Sequence, residues 1–460
     1  MSARTLCTPL AILVTLMLFA SFLATTGCEK ASESVVGAPP PQPKWLTIVT
    51  PHNEKIRRAF QHNFAAWYVE NRGTSVYFDW IVRGTPECLA YIADVARTNT
   101  IDMPQRPPDL IFGGGIADHV LLAERGQAVP IEIDDALADI PPKVGGLPTR
   151  DADGHWHATG LSSFGILYNQ TACEQRGIQP PTAWKDLADP RFQSWVAMAS
   201  PLYSGSTREC LLLILQHEGW QQGWATILRI LGNTRALVDS SSCALGEVGN
   251  GVCLATFAVN FDGQAEAAEN DGKLVYINPP QQTAVNPSAV SVLTTSSDIE
   301  LSRDFVRFCL SEEGQKLWGV KAEHRGGIGE TLYHYPISPK LYEKYAGQLA
   351  LNENPFETQF GLKIDAERRS KSAAVLLPLV QAACRGNHVL LQQTWDAIVQ
   401  ADLHEAALAE LTAPPFDEQT AYELGAAYQA ADAEAAAKML AEWSAMFRDK
   451  YEKALALARG

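Results

Sequence analysis

Six short polar loops, each closing an apolar run, hold the residues with chemistry to offer. In the first part of the chain they are Thr50-Pro51-His52, Arg83-Gly84-Thr85 and Gly113-Gly114-Gly115. Farther on they are Ser204-Gly205-Ser206-Thr207, Asp239-Ser240-Ser241-Ser242 and Asn260-Phe261-Asp262. Small hydroxyl residues and glycine at a helix start leave backbone N–H groups unpaired and open to close approach by an anion. Arg83 and Arg208 would add charge, and Asp262 would accept from a hydroxyl or amine on the same ligand. The candidate ligand-binding set is therefore His52, Arg83, Gly84, Thr85, Gly114, Gly115, Ser162, Ser163, Ser204, Gly205, Ser206, Thr207, Ser241, Ser242, Asn260 and Asp262. Each has a purely structural counterpart. His52 packs or caps at a helix start, Asp262 caps the following helix, and Ser162 and Ser163 satisfy backbone where the chain crosses between lobes.

Other chemistries find less support. No Gly-x-Ser-x-Gly and no His-Glu-x-x-His motif is present, so neither a hydrolase elbow nor a zinc-protease helix is indicated. His155 and His157 share one side of a strand, as two metal ligands would, but no third ligand accompanies them. No cofactor and no metal is expected. The nine cysteines form no Cys-x-x-Cys pair. Cys243 and Cys253 either close a small bridge or are buried as small apolar residues. A formal net charge of −15 argues against a nucleic-acid partner but leaves room for a locally built anion site.

The elements that must position these loops alternate. Trp45–Thr50, Val76–Val82 and Pro108–Phe112 read as strands, each followed by an amphipathic helix, which predicts a parallel sheet with right-handed crossovers. Ligands in such sheets sit beyond the carboxyl ends of the strands. Val196–Ala199 leads into the loop at Ser204, and Ser206 or Thr207 reads as the N-cap of a helix opening at Arg208. A second helix follows from Gly219 to Leu231, then strands at Leu237-Val238, Val252–Val259 and Leu274–Ile277. Two α/β lobes result. Lobe 1 comprises residues 45–160 with 287–335 returning to it; lobe 2 comprises 161–286. Residues 336–460, rich in Ala, Leu and Glu, read as a helical region packing on lobe 2.

The first 27 residues read as an export signal: Arg4, an uncharged apolar core from Leu10 to Ala24, then Ala24-Thr25-Thr26-Gly27-Cys28. Small residues before Cys28 resemble a lipoprotein cleavage site, with Cys28 lipidated. The usual Leu three residues before the cysteine is Thr25 here. Residues 28–44, with the run Ala38-Pro39-Pro40-Pro41-Gln42-Pro43, read as an extended tether.

Taken together, Pro108 to Gly115, Pro181 to Pro190, Ser200 to Thr207 and Phe305 to Gln315 resemble the extracellular solute-binding proteins of bacterial ABC importers, specifically the ferric-ion-binding-protein-like, type II class. The resemblance implies a two-lobed α/β fold of the periplasmic-binding-protein type, closing on its ligand like a hinge. It also implies a periplasmic, lipid-anchored, monomeric protein that does no chemistry and passes an anionic small solute to an inner-membrane permease. Iron-binding members of the class carry a His after the first strand, an acid after the third, and two adjacent Tyr in the second lobe. Here His52 stands at the first position, Gly114-Gly115 at the second, and Val259-Asn260-Phe261-Asp262 replaces the tyrosines. Ferric iron or an iron chelate held by His52 and Asp262 is thus the alternative ligand. A periplasmic sensor or adaptor is the alternative role.

Overall fold

Strand β1 (Lys44–Thr50) carries a run of fully buried residues because it lies inside a sheet covered on both faces. The computed structural model describes residues 42–98, 106–326, 329–357 and 360–460; the signal, Cys28 and most of the tether lie outside the described residues. Helix α1 (Glu54–Arg72) is capped by Asn53, whose side chain accepts from the Ile56 N–H, and ends at Gly73 in the left-handed region. Its inner face, Ile56, Phe60, Phe64 and Tyr68, is buried against the sheet. β2 (Val76–Val82), α2 (Thr85–Thr98), β3 (Leu110–Gly115) and α3 (Ile116–Glu124) complete the first run of alternation. Asp109, just before β3, is 1% exposed and accepts from the N–H groups of Thr47 and Ser297, joining three segments.

A small hairpin, β4 (Lys143–Val144) with β5 (Leu147–Pro148), precedes β6 (His157–Ser162). β6 belongs to the first sheet, but the next strand, β7 (Phe164–Asn169), belongs to a second sheet. Only Ser163 separates them, so the chain changes lobes there. α4 (Gln170–Arg176), β8 (Val196–Ala199), α5 (Gly205–Asn233), β9 (Thr234–Val238), α6 (Ser241–Gly249), β10 (Ala255–Val259), α7 (Asn260–Glu269) and β11 (Leu274–Ile277) build the second lobe. The chain returns through β12 (Asn286–Val292), α8 (Ile299–Leu310), α9 (Glu312–Gly319), β13 (Tyr335–Pro336) and α10 (Lys340–Lys344). The first sheet has the order β13-β6-β12-β3-β1-β2, and the second β11-β7-β10-β8-β9.

The first three strands pair in parallel as their pattern predicted, but both sheets as wholes are mixed. β1 is parallel to β2 and β3, but β12 runs antiparallel to β3 and β6. In the second sheet β8 is parallel to β9 and β10, while β7 is antiparallel to β10 and β11. β7 and β12, two of the antiparallel members, are the strands that carry the chain between lobes. They arrive from the other lobe, so no crossover helix sets their direction.

α5 begins earlier than its sequence suggests. Ser204, not Ser206 or Thr207, is the N-cap, accepting from the Thr207 N–H at 3.1 Å. The expected second helix is present as the far half of α5, divided from the first by Gly219 at φ 82°. The polypeptide after β13 also divides differently. Residues 337–356 pack on lobe 1, with Ile337 in its core and Tyr342 and Leu349 against Val320. The helical layer on lobe 2 starts only at α11 (Ala366–Cys384). It continues through α12 (His388–Gln400), α13 (Glu405–Thr412), α14 (Glu418–Ala430) and α15 (Ala433–Arg459). Val375, Leu379, Trp395, Phe447 and Tyr451 join Trp224, Ile227 and Leu231 of α5 in one core. Among the described residues no single helix is long and apolar enough to cross a membrane. The described cysteines are all unbridged, six of them buried and Cys243 exposed, so Cys243 and Cys253 do not form the bridge entertained above.

Asn233, fully buried at the end of α5, fastens this layer. Its amide donates to the carbonyls of Leu187 and Asp189 at 2.8 and 2.7 Å, and its oxygen accepts from the Trp395 indole at 2.6 Å. Asn233→Ala removes all three bonds and leaves buried polar atoms unpaired. The expected loss is about 3 kcal/mol of stability, read as a lower urea midpoint; an unchanged midpoint would show that the layer is held by apolar packing alone.

Candidate functional site

A cleft of about 570 Å³ separates the lobes, and the carboxyl ends of strands from both sheets open into it. On the lobe 2 side the N-termini of α5 and α6 converge. Their first turns bring three hydroxyls together: Ser204 Oγ to Ser241 Oγ is 2.8 Å, Ser206 Oγ to Ser241 Oγ is 3.0 Å, and Ser204 Oγ to Ser206 Oγ is 3.1 Å. Ser240 caps α6 by accepting from the Cys243 N–H. Three rotatable donors between two helix N-termini form a cradle suited to a tetrahedral oxyanion.

Lobe 1 faces this cradle closely. A Cβ on Gly84 would lie 2.1 Å from the carbonyl oxygen of Tyr203, and one on Gly205 would lie 2.9 Å from Thr85 Oγ1. Arg208 Nη2 reaches across to both carboxylate oxygens of Asp118, at 2.8 and 2.9 Å. Asn53 Nδ2 donates to Asp262 Oδ1 at 2.8 Å, and Lys55 pairs with Glu269. These contacts all join lobe 1 to lobe 2, so the structure is the closed form.

The sequence-derived candidates fall into two groups. His52, Arg83, Gly84, Thr85, Gly114, Gly115, Ser162, Ser204, Gly205, Ser206, Ser241, Ser242 and Asp262 line the cleft. Ser163, Thr207 and Asn260 do not. Ser163 Oγ donates to Asn278 Oδ1 and its N–H to Asn260 Oδ1, while the Asn260 amide donates to the Tyr333 carbonyl. These residues staple the crossing between lobes. Thr207 is 2% exposed and turns into the lobe. Among the residues that sequence reading left out are Asn53, Arg57 and Asp118. They lie one to five residues beyond the strand-end loops, on helix faces whose direction only the closed lobes reveal.

His52 is at the cleft's edge yet 3% exposed, against Phe112 and Trp318. Its Nε2 has no hydrogen-bond partner, and a Cβ on Gly113 would come within 2.5 Å of it. That nitrogen therefore faces the β3 backbone, where Gly113, at φ 98°, supplies both the turn and the space. Burial, with His334 nearby, holds the His52 imidazole down to about 3, so it is neutral at ordinary pH. Burial likewise holds His334 at about 3, and His119 and His157 at about 4. Asp262 is pushed up to about 6 by burial, against the opposing hydrogen bond from Asn53.

Carboxylates outnumber guanidinium groups on the cleft wall, but most are engaged. Arg208 neutralises Asp118, Arg369 neutralises Glu209, and Glu87 accepts from the Gly84 N–H. Asp262 retains capacity to accept from a ligand hydroxyl. Arg83 is exposed at the rim, its guanidinium 5.0 Å over the Tyr91 ring, and Arg57 is half-buried. Away from the cleft, Asp151, Asp153 and His155 stand close enough together to hold a cation, with His155 Nδ1 2.8 Å from Asp151. His157 is not in that group: it is buried, and neither ring nitrogen has a side-chain partner.

This two-lobed architecture, with its cleft at the strand ends, is that of type II periplasmic binding proteins. Residues 106–321 match the family described as bacterial extracellular solute-binding protein. The phosphoglycerate transport regulatory protein PgtC of Salmonella typhimurium is 31% identical over 182 residues, 40% of this chain and 43% of that protein. The chain thus matches less than half the length of that curated relative. Two solved structures share the fold. The periplasmic binding protein AfuA of Actinobacillus pleuropneumoniae, with fructose-6-phosphate bound, superposes with a TM-score of 0.57 at 18% identity, over 72% of this chain and 94% of AfuA. Iron-bound HitA of Pseudomonas aeruginosa gives 0.53 at 18% identity, over 72% and 98%.

Two outcomes follow from this geometry. Gly84→Val places a side chain where the Tyr203 carbonyl lies, so the closed form is lost. Small-angle scattering will show a larger radius of gyration for the variant in conditions where the parent is closed; identical curves would refute the contact. The second concerns pH. The buried histidines titrate near 6.5 when unfolded but only near 3 to 4 when folded. Between those values the unfolded chain binds more protons, so stability is full above 6.5 and is lost as pH falls. Asp262 works in the opposite direction between about 6 and 3.8, one group against four. The urea midpoint is therefore lower at about pH 5 than at about pH 7.5; equal midpoints would contradict the burial of neutral imidazoles.

Proposed function

We propose that the cleft captures a small phosphorylated solute that also carries hydroxyl groups, and that the protein delivers it to an ABC permease. The observation that carries this reading is the convergence of Ser204, Ser206 and Ser241 between two helix N-termini. A phosphoryl group offers several acceptor oxygens to donors arranged that way. Arg57 and Arg83 stand on the lobe 1 side as cationic partners, and Asp262 receives a hydroxyl of the same solute. The names of PgtC and of the AfuA complex, phosphoglycerate and fructose-6-phosphate, point to the same chemical class. The protein acts in the periplasm as a monomer without catalysis, and a lipid on Cys28 holds it to the membrane.

Iron binding is less well supported. His52 Nε2 faces the β3 backbone, Asp262 is hydrogen-bonded to Asn53, and no tyrosine pair is present. Ferric iron favours several anionic oxygen donors in one place. A sensor role draws on the word "regulatory" in the name of PgtC and on the helical layer beyond residue 366. It would use the same cleft.

Calorimetry on the mature protein separates these ligands. Phosphoglycerate and fructose 6-phosphate are expected to bind, and glycerate, fructose and ferric citrate are not. Ser241→Asp puts a carboxylate within the hydroxyl cradle and is expected to weaken phosphate-ester binding about 100-fold or more, with the thermal midpoint of the unliganded protein little changed. Binding of ferric citrate alone, or undiminished phosphate-ester binding by the variant, would overturn the proposal.

A further inference from the structure

The helical layer contributes no residue to the cleft wall, yet one of its side chains reaches the residue next to Arg208. Glu209, just past the first turn of α5, lines the cleft and is 7% exposed. Arg369 of α11, also 7% exposed, places Nη2 at 2.7 Å from both Glu209 carboxylate oxygens. Consecutive residues of α5 thus reach in different directions: Arg208 to Asp118 on lobe 1, and Glu209 to Arg369 on the helical layer. Neither partner is redundant, because a buried charge left unpaired is strongly unfavourable.

We propose that Arg369 is a positioning residue for the anion site: it neutralises Glu209, so that the N-terminus of α5 presents a positive field to the ligand. The inference rests on the anionic-solute reading above. An uncompensated carboxylate this near the start of α5 would oppose the positive field that the helix N-terminus offers a ligand. It would also repel an anion at short range in a poorly screened site. With Arg369 in place the carboxylate is turned toward α11, and the hydroxyls of Ser204 and Ser206 are free of it. The helical layer then serves a purpose beyond covering lobe 2. It supplies the counter-charge that makes the neighbouring cradle selective for anions, and its docking is energetically linked to ligand affinity.

The test measures binding of a phosphate ester, fructose 6-phosphate or phosphoglycerate, by calorimetry in four proteins: the parent, Arg369→Met, Glu209→Gln and the double variant. Arg369→Met is expected to lower affinity about tenfold or more. Glu209→Gln, which leaves the arginine uncompensated, is expected to keep or raise it. The double variant, with neither charge, is expected to recover to within about threefold of the parent. A merely structural pair would weaken binding in both single variants, because each leaves a buried charge unpaired, whereas the proposed repulsion acts only in Arg369→Met; an equal loss in Glu209→Gln, or failure of the double variant to recover, overturns the inference. An Arg369→Met protein that binds like the parent overturns it equally. If Arg369→Met does not fold, Glu209→Gln alone decides: a tenfold loss of affinity in that variant contradicts the proposed repulsion, and retained or tighter binding supports it. A parent protein that binds none of the phosphate esters overturns the functional reading itself, and the inference with it. A parent that binds while its variants fail the pattern overturns the inference alone.

Discussion

One asparagine settles where the two halves of this protein meet. Asn260 accepts from the Ser163 N–H at the point where the chain leaves the first sheet, and it donates to the Tyr333 carbonyl on the returning segment. Ser163, Asn278 and Tyr276 extend the network through their side chains. Buried polar groups of this kind are costly unless fully paired, so the crossing has one well-defined arrangement. Everything functional depends on it. Only when the sheets are joined there do their strand ends face each other across a cleft.

Charge on the cleft wall follows a second constraint. Asp118, Arg208, Glu209 and Arg369 form a row of alternating sign that runs from lobe 1 through α5 into the helical layer. Each member is largely removed from water, so each needs its neighbour. If the cleft takes the proposed phosphorylated solute, the row accounts for an anion-accepting surface on a protein of net charge −15. Bulk charge acts at long range and is screened. The field in the cleft is set by helix N-termini, hydroxyls and the local pairing of carboxylates.

The histidines illustrate a different use of the same loops. His52, in the first strand-end loop, and His334, on the returning segment, sit among Phe112, Phe261 and Trp318. Phe261 comes from lobe 2 and stacks on His334 with ring centroids 5.1 Å apart. Burial keeps these imidazoles neutral, so they behave as polar-edged aromatic rings in the closed form and not as cations or open ligands.

Much of this was legible in the sequence. Strands β1, β2, β3 and β8 followed from apolar runs that stop at Gly, Pro or Ser, and the strand-end rule brought most of the candidate residues to one cleft. A hydroxyl N-cap for α5 was legible too, but not which hydroxyl. Ser204, Ser206 and Thr207 all qualify, and the turn in which the Ser204 N–H donates to the Ser200 carbonyl made the choice. Ser163 and Asn260 look like ligand groups because they are polar residues at strand ends. Whether such a residue meets a ligand or staples a crossing depends on a partner about a hundred residues away. The same is true of the Arg208–Asp118 and Glu209–Arg369 pairs. Local periodicity and capping chemistry determine which elements form and which loops close them, since those preferences act within a few residues. Which loops face one another, and which charges cancel, is decided by contacts between distant segments, and these exist only once the lobes have packed.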